Sequence, residues 1–121
     1  MCIRDRENCV IESYGFGRIT VDGKKYRSDI VIYPERTVDG WWRAQGHDLC
    51  QEDIREILEY GPRLLIIGTG KFGMMKVGES VRNIIRDRGI ELIVSNTPEA
   101  VKRYNEASGA KKTVAALHLT C

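Results

Sequence analysis

The chain of 121 residues contains no hydrophobic run long enough to cross a membrane. Its longest apolar stretch, residues 64–68, has the length of a strand, whereas a transmembrane helix requires about 20 apolar residues. The first eight residues are rich in charge and lack the apolar core of a secretory signal. We therefore predict a cytoplasmic protein without membrane insertion, in which residues 9–121 form one domain. Residues 1–8 are either a disordered extension or a sequence scar rather than part of the fold.

The sequence also lacks a strong excess of charge of either sign. Its 19 Lys and Arg residues against 17 Asp and Glu residues leave a formal net charge of +2. Such a small charge, without a dense basic cluster, does not recruit nucleic acid. We therefore predict no nucleic-acid partner. The hydrophobic content of 42% is ordinary for a globular domain that buries a single core.

Cysteine and histidine are scarce and widely spaced. The four cysteines form no C-x-x-C pair and are predicted to be free thiols. His47 and Cys50, like His118 and Cys121, have the H-x-x-C spacing that could supply a four-ligand zinc site. Residues three apart in a terminal strand point to opposite faces, which argues against zinc. No metal, cofactor or catalytic residue is predicted, and a structural role is favoured for both histidines.

The first half of the chain is predicted to be antiparallel β structure. Residues 15–21 alternate in polarity and precede Asp22 and Gly23, the commonest two-residue hairpin signal. Pro34 ends a further strand, and an extended segment with two tryptophans follows it. The predicted extended segments are residues 15–21, 24–27, 29–33 and 37–43.

The second half changes to alternating helices and strands. Ile54, Ile57 and Leu58 fall on one face of a predicted helix, and the apolar run 64–67 is typical of a strand buried on both faces. Thr97 is predicted to cap the last helix. The predicted elements are a helix from residue 50 to 60, a strand at 64–67, a helix at 79–88, a strand at 90–94, a helix at 97–107 and a strand at 112–119. The predicted fold class is α/β, a single layered domain with an antiparallel β-rich first half and a parallel β-α-β-α-β second half.

Residues 68–73 read Gly-Thr-Gly-Lys-Phe-Gly and match the G-x-G-x-x-G pattern of dinucleotide sites. The predicted helix begins only near residue 79, whereas a dinucleotide fingerprint opens its helix inside the motif. Gly68 and Gly70 are also explained as residues that adopt positive φ in a tight turn. Two interpretations of about equal weight follow, a ligand or partner site that includes Thr69, or a structural turn.

Trp41, Trp42 and Arg43 form a second candidate surface, because aromatic residues beside a guanidinium are the composition of an interaction hot spot. Neighbouring side chains of a strand point to opposite faces, so one indole is predicted to be buried and the other exposed. Arg43 either binds a carboxylate or phosphate group or pairs with Asp39. Asn105 on the last helix either caps a loop or reaches a pocket.

Several motifs occur in a fixed order along the chain: SYGFG at 13–17, DGWWR at 39–43, LIIGTG at 65–70, TPEA at 97–100, YN at 104–105 and LHLTC at 117–121. Together they resemble a family of small uncharacterised archaeal and bacterial proteins. Its eukaryotic relatives include the mitochondrial assembly factor 3 of respiratory complex I and an adipogenesis-associated protein with an Mth938-type domain. The resemblance implies a compact α/β layered fold with a β-hammerhead-like element in the first half. It also implies a surface pocket near the glycine loop, with the candidate residues Gly68, Thr69, Gly70, Trp42, Arg43 and Asn105.

Two functional hypotheses follow. The first is a non-enzymatic binding or assembly module that docks on an unidentified protein through its aromatic and glycine-rich surface. The second is an enzyme or sensor that binds a small anionic ligand or nucleotide at residues 68–73, with Arg43 or Lys71 as the anion contact. A cysteine- or zinc-based redox role through Cys50 and Cys121 is a third and weaker hypothesis.

Overall fold

The strands form a central five-stranded sheet and two smaller sheets in the computed structural model, which describes residues 11–41, 48–107 and 112–119. The strands are β1 Ile11–Gly15, β2 Arg18–Val21, β3 Lys24–Tyr26, β4 Ile30–Ile32, β5 Thr37–Asp39, β6 Asp48–Leu49, β7 Leu64–Thr69, β8 Lys76–Val77, β9 Glu91–Ser95 and β10 Thr113–His118. The helices are α1 Arg55–Tyr60, preceded by a 3-10 turn at Gln51–Ile54, α2 Glu79–Asp87 and α3 Thr97–Ala107. None of these helices has the length and apolar composition that a bilayer crossing requires. The predicted extension at residues 1–8 lies outside the described residues.

The central sheet has the strand order β5-β4-β10-β7-β9. β7 pairs in parallel with both β9 and β10, and β4 pairs antiparallel with β10. The predicted β-α-β-α-β unit is therefore confirmed, and it consists of β7, α2, β9, α3 and β10. Every residue of β7 and β10 is buried, as expected for strands that are covered on both faces.

The first half contains an antiparallel three-stranded sheet with the order β1-β2-β3. Asp22 and Gly23 join β2 to β3 with φ values of 51° and 81°, and positive φ at both positions is what a tight hairpin turn requires. This hairpin is confirmed. The prediction of one strand over residues 15–21 is wrong, because Phe16 and Gly17 form a turn between β1 and β2 in which Gly17 has a φ of 76°.

Short elements around α1 differ from the predicted ones. β5 ends at Asp39, whereas the extended segment is predicted over residues 37–43, of which 42 and 43 lie outside the described residues. β6 and β8 form a parallel pair that is not predicted, because two-residue strands carry no periodic signal. α1 ends at Gly61 in the left-handed conformation, with a φ of 73°, as predicted for a terminating glycine.

The central sheet buries a separate core on each face. Because alternate residues of a strand point to opposite faces, Leu65 and Ile67 pack with residues of α1 and α2, whereas Leu64 and Ile66 pack with residues of α3 and the three-stranded sheet. Each buried Leu or Ile stabilises the fold by about 1.5–3 kcal/mol. The two cores fix β7, β9 and β10 in register, so that their carboxyl ends meet at one edge of the sheet.

Candidate functional site at the carboxyl edge of the sheet

The buried side chain of Thr97 links the carboxyl ends of two parallel strands. Its hydroxyl accepts a hydrogen bond from the Gly70 N–H (2.8 Å), just after β7, and donates one to the His118 carbonyl (2.5 Å), at the end of β10. The Thr97 N–H donates to the Gly70 carbonyl at 2.9 Å. Because Thr97 is 0% exposed, these bonds are shielded from water and hold the edge together.

Gly68 in β7 permits this close approach of α3. A Cβ atom at this position would lie 2.9 Å from Leu117 Cδ2, 2.9 Å from Thr97 Oγ1 and 3.2 Å from Thr97 Cα. Gly70 has a φ of 105°, as the turn interpretation predicts, whereas Gly68 is not among the glycines with positive φ. Close packing, rather than a special backbone conformation, therefore requires glycine at position 68.

The N-cap of α3 is Asn96 and not Thr97. Asn96 Oδ1 accepts a hydrogen bond from the Glu99 N–H at 3.0 Å. The predicted capping role of Thr97 is wrong, because its hydroxyl is occupied by the two strand ends instead. Pro98 and Glu99 lie in the first turn of α3, as predicted.

The loop after β7 presents two large apolar side chains to solvent. Gly70 and Gly73, with φ values of 105° and 71°, turn the chain, and the Gly73 N–H donates to the Gly70 carbonyl at 3.1 Å. The Met75 N–H donates to the carbonyl of the last residue of β7 at 3.0 Å, and its side chain is buried. Between these anchors, Phe72 is 69% exposed and Met74 is 53% exposed.

A further aromatic side chain lies beside this loop, on the turn between β1 and β2. The Gly17 N–H (3.0 Å) and the Tyr14 hydroxyl (2.9 Å) both donate to the Leu119 carbonyl and so fix the turn to the end of β10. Phe16 is 48% exposed, and its ring centroid lies 6.2 Å from that of Phe72. The two rings are within the range of an aromatic pair. The aromatic patch is defined here as Phe16, Phe72 and Met74.

None of the three patch side chains is among the residues predicted from sequence, although two of them carry a signal. Phe16 stands between Gly15 and Gly17, and Phe72 directly precedes Gly73. A phenylalanine flanked by glycine in a turn belongs to no strand or helix that could carry it into a core. This combination is a sequence signal for an exposed aromatic residue.

Asp29 and His118 join the beginning of β4 to the end of β10. Asp29 Oδ2 lies 2.8 Å from His118 Nδ1, and Asp29 Oδ1 accepts the Leu119 N–H at 2.8 Å. Burial and, secondly, the charge of Asp29 raise the pKa of Tyr14 above its ordinary value of 10.0, so the hydroxyl that donates to the Leu119 carbonyl stays protonated to a higher pH than that of a free tyrosine. These contacts show that Asp29 holds the end of β10 in place beneath the exposed loop, and the structural role favoured for His118 from sequence stays a prediction.

The structure places three of the six predicted binding residues at this edge. Gly68 and Gly70 have the roles described above, and the hydroxyl of the buried Thr69 donates to the Ser95 carbonyl at 3.1 Å. These three residues form part of the base that supports the exposed loop. Trp42 and Arg43 lie outside the described residues.

The side chain of Asn105 contacts β1 and not the glycine loop. Its Nδ2 donates to the Ile11 carbonyl at 2.8 Å, and its Oδ1 accepts the Ile11 N–H at 3.2 Å. Asn105 follows Thr97 by two turns of α3, about 12 Å along the helix axis. Of the two interpretations of Asn105, the geometry favours the one in which it fixes a chain segment.

A groove of about 760 Å³ lies away from the glycine loop, between β4, β5 and α1. The half-buried Trp41 lines it, and the indole Nε1 donates to the Asp53 carbonyl at 3.0 Å. Gly68, Thr69 and Gly70 do not line this groove. The pocket that the resemblance implies near the glycine loop stays a prediction.

The glycine loop differs from a dinucleotide site in two ways. The N–H groups of Gly70 and Gly73 donate within the chain, so they do not point at a phosphate. α2 begins at Glu79, after β8, and its N-terminus therefore does not open inside the motif. The geometry does not favour the hypothesis of a nucleotide site at residues 68–73.

The structure tests only part of the prediction that the two H-x-x-C segments do not bind zinc. In the described ranges, no group of three His, Cys, Asp or Glu side chains is arranged to hold a metal ion. His47 and Cys121, two of the four candidate ligands, lie outside these ranges. The prediction of no zinc site therefore stays a prediction.

These observations define a small layered α/β domain with a mixed five-stranded sheet and an exposed aromatic patch at the carboxyl edge of its parallel strands. The profile of a family described as proteins of unknown function, DUF498/DUF598, matches residues 11–119, and the chain belongs to this family. The family resemblance drawn from the sequence motifs is thereby confirmed.

Solved structures share this fold over nearly the whole chain. The crystal structure of the conserved hypothetical protein PH1505 from Pyrococcus horikoshii OT3 is 32% identical, with a TM-score of 0.81, and the match covers 92% of this chain and 98% of that one. The protein MT938 is 30% identical, with a TM-score of 0.76 and coverage of 94% and 100%. A Mth938-like domain protein from Bordetella pertussis is 18% identical, with a TM-score of 0.68 and coverage of 92% and 85%, and supports the fold alone. The predicted Mth938-like fold is confirmed.

Proposed function

We propose that the protein is a non-enzymatic docking module that binds another protein through the aromatic patch. The observation that carries this proposal is the exposure of Phe16, Phe72 and Met74 on two neighbouring loops at one edge of the sheet, where the ring centroids of Phe16 and Phe72 lie 6.2 Å apart. Aromatic and methionine side chains are enriched in the buried centres of protein interfaces. A cytoplasmic location is part of the same proposal.

The anchoring of the two loops supports a docking role. The loop that carries Phe72 is held by the bonds of Gly70 to Thr97, and the turn that carries Phe16 is held by the bonds of Gly17 and Tyr14 to Leu119. A surface that is already ordered loses less conformational entropy when a partner binds, and its affinity is correspondingly higher. The buried polar groups beneath the patch therefore act as its support.

The family resemblance supports the same mode of action. The motifs of this chain resemble those of a family whose relatives include the mitochondrial assembly factor 3 of respiratory complex I. An assembly factor acts by contact with other proteins, and the aromatic patch offers a surface for such contact. The proposal extends to this mode of action and not to any particular respiratory complex.

The test is quantitative co-purification from the native cells with isotope-labelled samples. The bait proteins are the wild type, the double variant Phe16→Ser/Phe72→Ser and the control Lys102→Ser/Arg103→Ser, whose substitutions lie on the exposed surface of α3. We expect one or a few proteins to be enriched with the wild type and the control and to be lost with the patch variant. Equal enrichment with all three baits would contradict the proposal, provided that circular dichroism shows all three to be folded.

A further inference from the structure

We infer that two copies of this chain associate by pairing their β9 strands edge to edge. β9 lies at one end of the central sheet, so that β7 is its only neighbouring strand among the described residues. β5 occupies the other end of the sheet. This inference concerns a different surface from the aromatic patch and does not depend on the proposed function.

The backbone of β9 directs hydrogen-bonding groups away from the sheet. The Glu91 N–H donates to the Arg63 carbonyl at 3.0 Å, and the register with β7 is regular along the whole strand. Peptide groups alternate in direction along a strand, so Glu91, Ile93 and Ser95 face β7 while Leu92 and Val94 face outward. The outward N–H and C=O groups of these two residues form a template for another strand.

Apolar side chains line this edge on both faces of the sheet. Leu92 and Val94 are only partly buried on one face of the sheet, and Ile93 is only partly buried on the other face. Covering these three side chains with a second copy removes apolar surface from water. The edge therefore offers both backbone groups and apolar surface to a partner.

β9 lacks several of the features that normally prevent pairing at a sheet edge. Its five residues include no proline and no lysine, and its register shows no bulge. β5, in contrast, has three residues, ends at Asp39 and is followed by Gly40 with a φ of 70°. A short, irregular edge strand of this kind is protected against pairing, whereas β9 carries only the charge of Glu91 at its first position.

The sequence of β9 is complementary to itself in the antiparallel direction. A two-fold axis at Ile93 places Leu92 opposite Val94 of the partner subunit. The N–H and C=O groups of Leu92 then form two hydrogen bonds with the C=O and N–H groups of that Val94. Glu91 then lies opposite Ser95 of the partner subunit, and no two carboxylates face each other. This self-complementarity favours a second copy of the chain over a foreign strand as the occupant.

Sedimentation equilibrium across the micromolar range tests the inference. We expect the average mass of the wild type to rise from the 13.8 kDa of one chain towards twice that value. Val94→Pro removes an outward N–H, which an edge strand tolerates, and Leu92→Lys places a charge at the edge; each should weaken dimerisation by about tenfold or more. Val38→Lys on β5 is the matched control and should leave the dimer unchanged. A monomer at every concentration, or variants at β9 that dimerise as the wild type does, would overturn the inference.

Nuclear Overhauser effects between subunits test the register independently of any variant. In a mixture of 13C-labelled and unlabelled wild-type protein, we expect contacts between subunits from Ile93 to Ile93 and from Leu92 to Val94. Contacts that arise only from residues of β5 or of the aromatic patch would instead show a different dimer and refute the pairing of β9.

Discussion

Replacing Thr97 by valine removes the hydroxyl that joins the strand ends beneath the aromatic patch. Valine has nearly the same shape as threonine, so packing changes little. The Gly70 N–H loses its acceptor, and the His118 carbonyl loses one donor. Because position 97 is fully buried, water does not replace these partners without local opening of the structure.

The expected loss of stability follows from these two contacts. A buried N–H left without an acceptor costs about 1–3 kcal/mol, and the loss of a hydrogen bond to a carbonyl costs about 0.5–1.5 kcal/mol. The free energy of unfolding of Thr97→Val should therefore lie about 2–4 kcal/mol below that of the wild type. For a domain of this size, such a change lowers Tm by roughly 10 °C.

Urea unfolding followed by circular dichroism measures this difference. Thr97→Ser is the matched control, because serine keeps the hydroxyl and loses only a methyl group, at a cost of about 1 kcal/mol. Amide hydrogen exchange at Gly70 should accelerate in the valine variant and not in the serine variant. A valine variant within about 0.5 kcal/mol of the wild type, or a serine variant that is equally destabilised, would refute the proposed role of the hydroxyl.

Three further predictions concern stability and ionisation. Gly68→Ala should destabilise the fold by about 1–3 kcal/mol in urea unfolding, because its Cβ would overlap two side chains. Gly78→Ala, whose Cβ meets nothing within 4 Å, should cost less than about 1 kcal/mol, the loss from alanine in place of glycine at the N-cap of α2. Asn105→Ala should cost about 1–2 kcal/mol and increase hydrogen exchange at the first residue of β1, because both hydrogen bonds of the carboxamide are lost; unchanged exchange there would contradict this. Burial, followed by the hydrogen bond to the Glu35 carboxylate and its charge, raises the pKa of Tyr60 from 10.0 to about 12. The neutral phenol therefore stabilises the folded state fully below pH 10, and this stabilisation is lost as the pH rises from 10 through 12. A titration of 13C-labelled tyrosine should show the Tyr60 midpoint well above 10 in the wild type and lower in Glu35→Gln, and equal midpoints would contradict the role of the carboxylate.

Much of the second half of the fold follows from local patterns in the sequence. Two such patterns are the apolar run at the start of β7 and the helical spacing of Ile54, Ile57 and Leu58. Each pattern marks buried positions and lies within a few consecutive residues, so it can be recognised without knowledge of distant contacts. Gly61 and Gly23 likewise mark turns through their positive φ. Signals of this kind place elements without knowledge of their partners.

Elements that depend on distant contacts cannot be predicted from local sequence patterns. β1 begins where its backbone pairs with Asn105, 94 residues away in the chain, and β6 and β8 exist only because they meet each other. The turn at Phe16 and Gly17 interrupts an alternating pattern that by itself predicts a continuous strand. The differences at β1, β6 and β8 arise from tertiary contacts that no local pattern encodes, whereas the glycines on either side of Phe16 are a local signal for the turn that the alternating pattern outweighs.

The candidate site divides in the same way. The glycine loop is located from sequence, because a glycine pattern after a buried strand marks the carboxyl edge of a sheet. The way in which the loop is held in place could not be predicted from sequence. The sequence Thr97-Pro98-Glu99 is typical of a helix N-cap, but Asn96, one residue earlier, takes that role. Only the fold shows that Thr97 instead supports Gly70 and, through it, the exposed loop.

Photo-cross-linking in the native cells tests the docking function most directly. A benzophenone amino acid replaces Phe72 in the aromatic patch or, as a control, the exposed Lys102 on α3. We expect irradiation to give a discrete adduct of higher mass from position 72, none from position 102, and loss of the adduct when Phe16→Ser is added. No adduct from position 72, or the same adducts from both positions, would contradict a docking function of the aromatic patch.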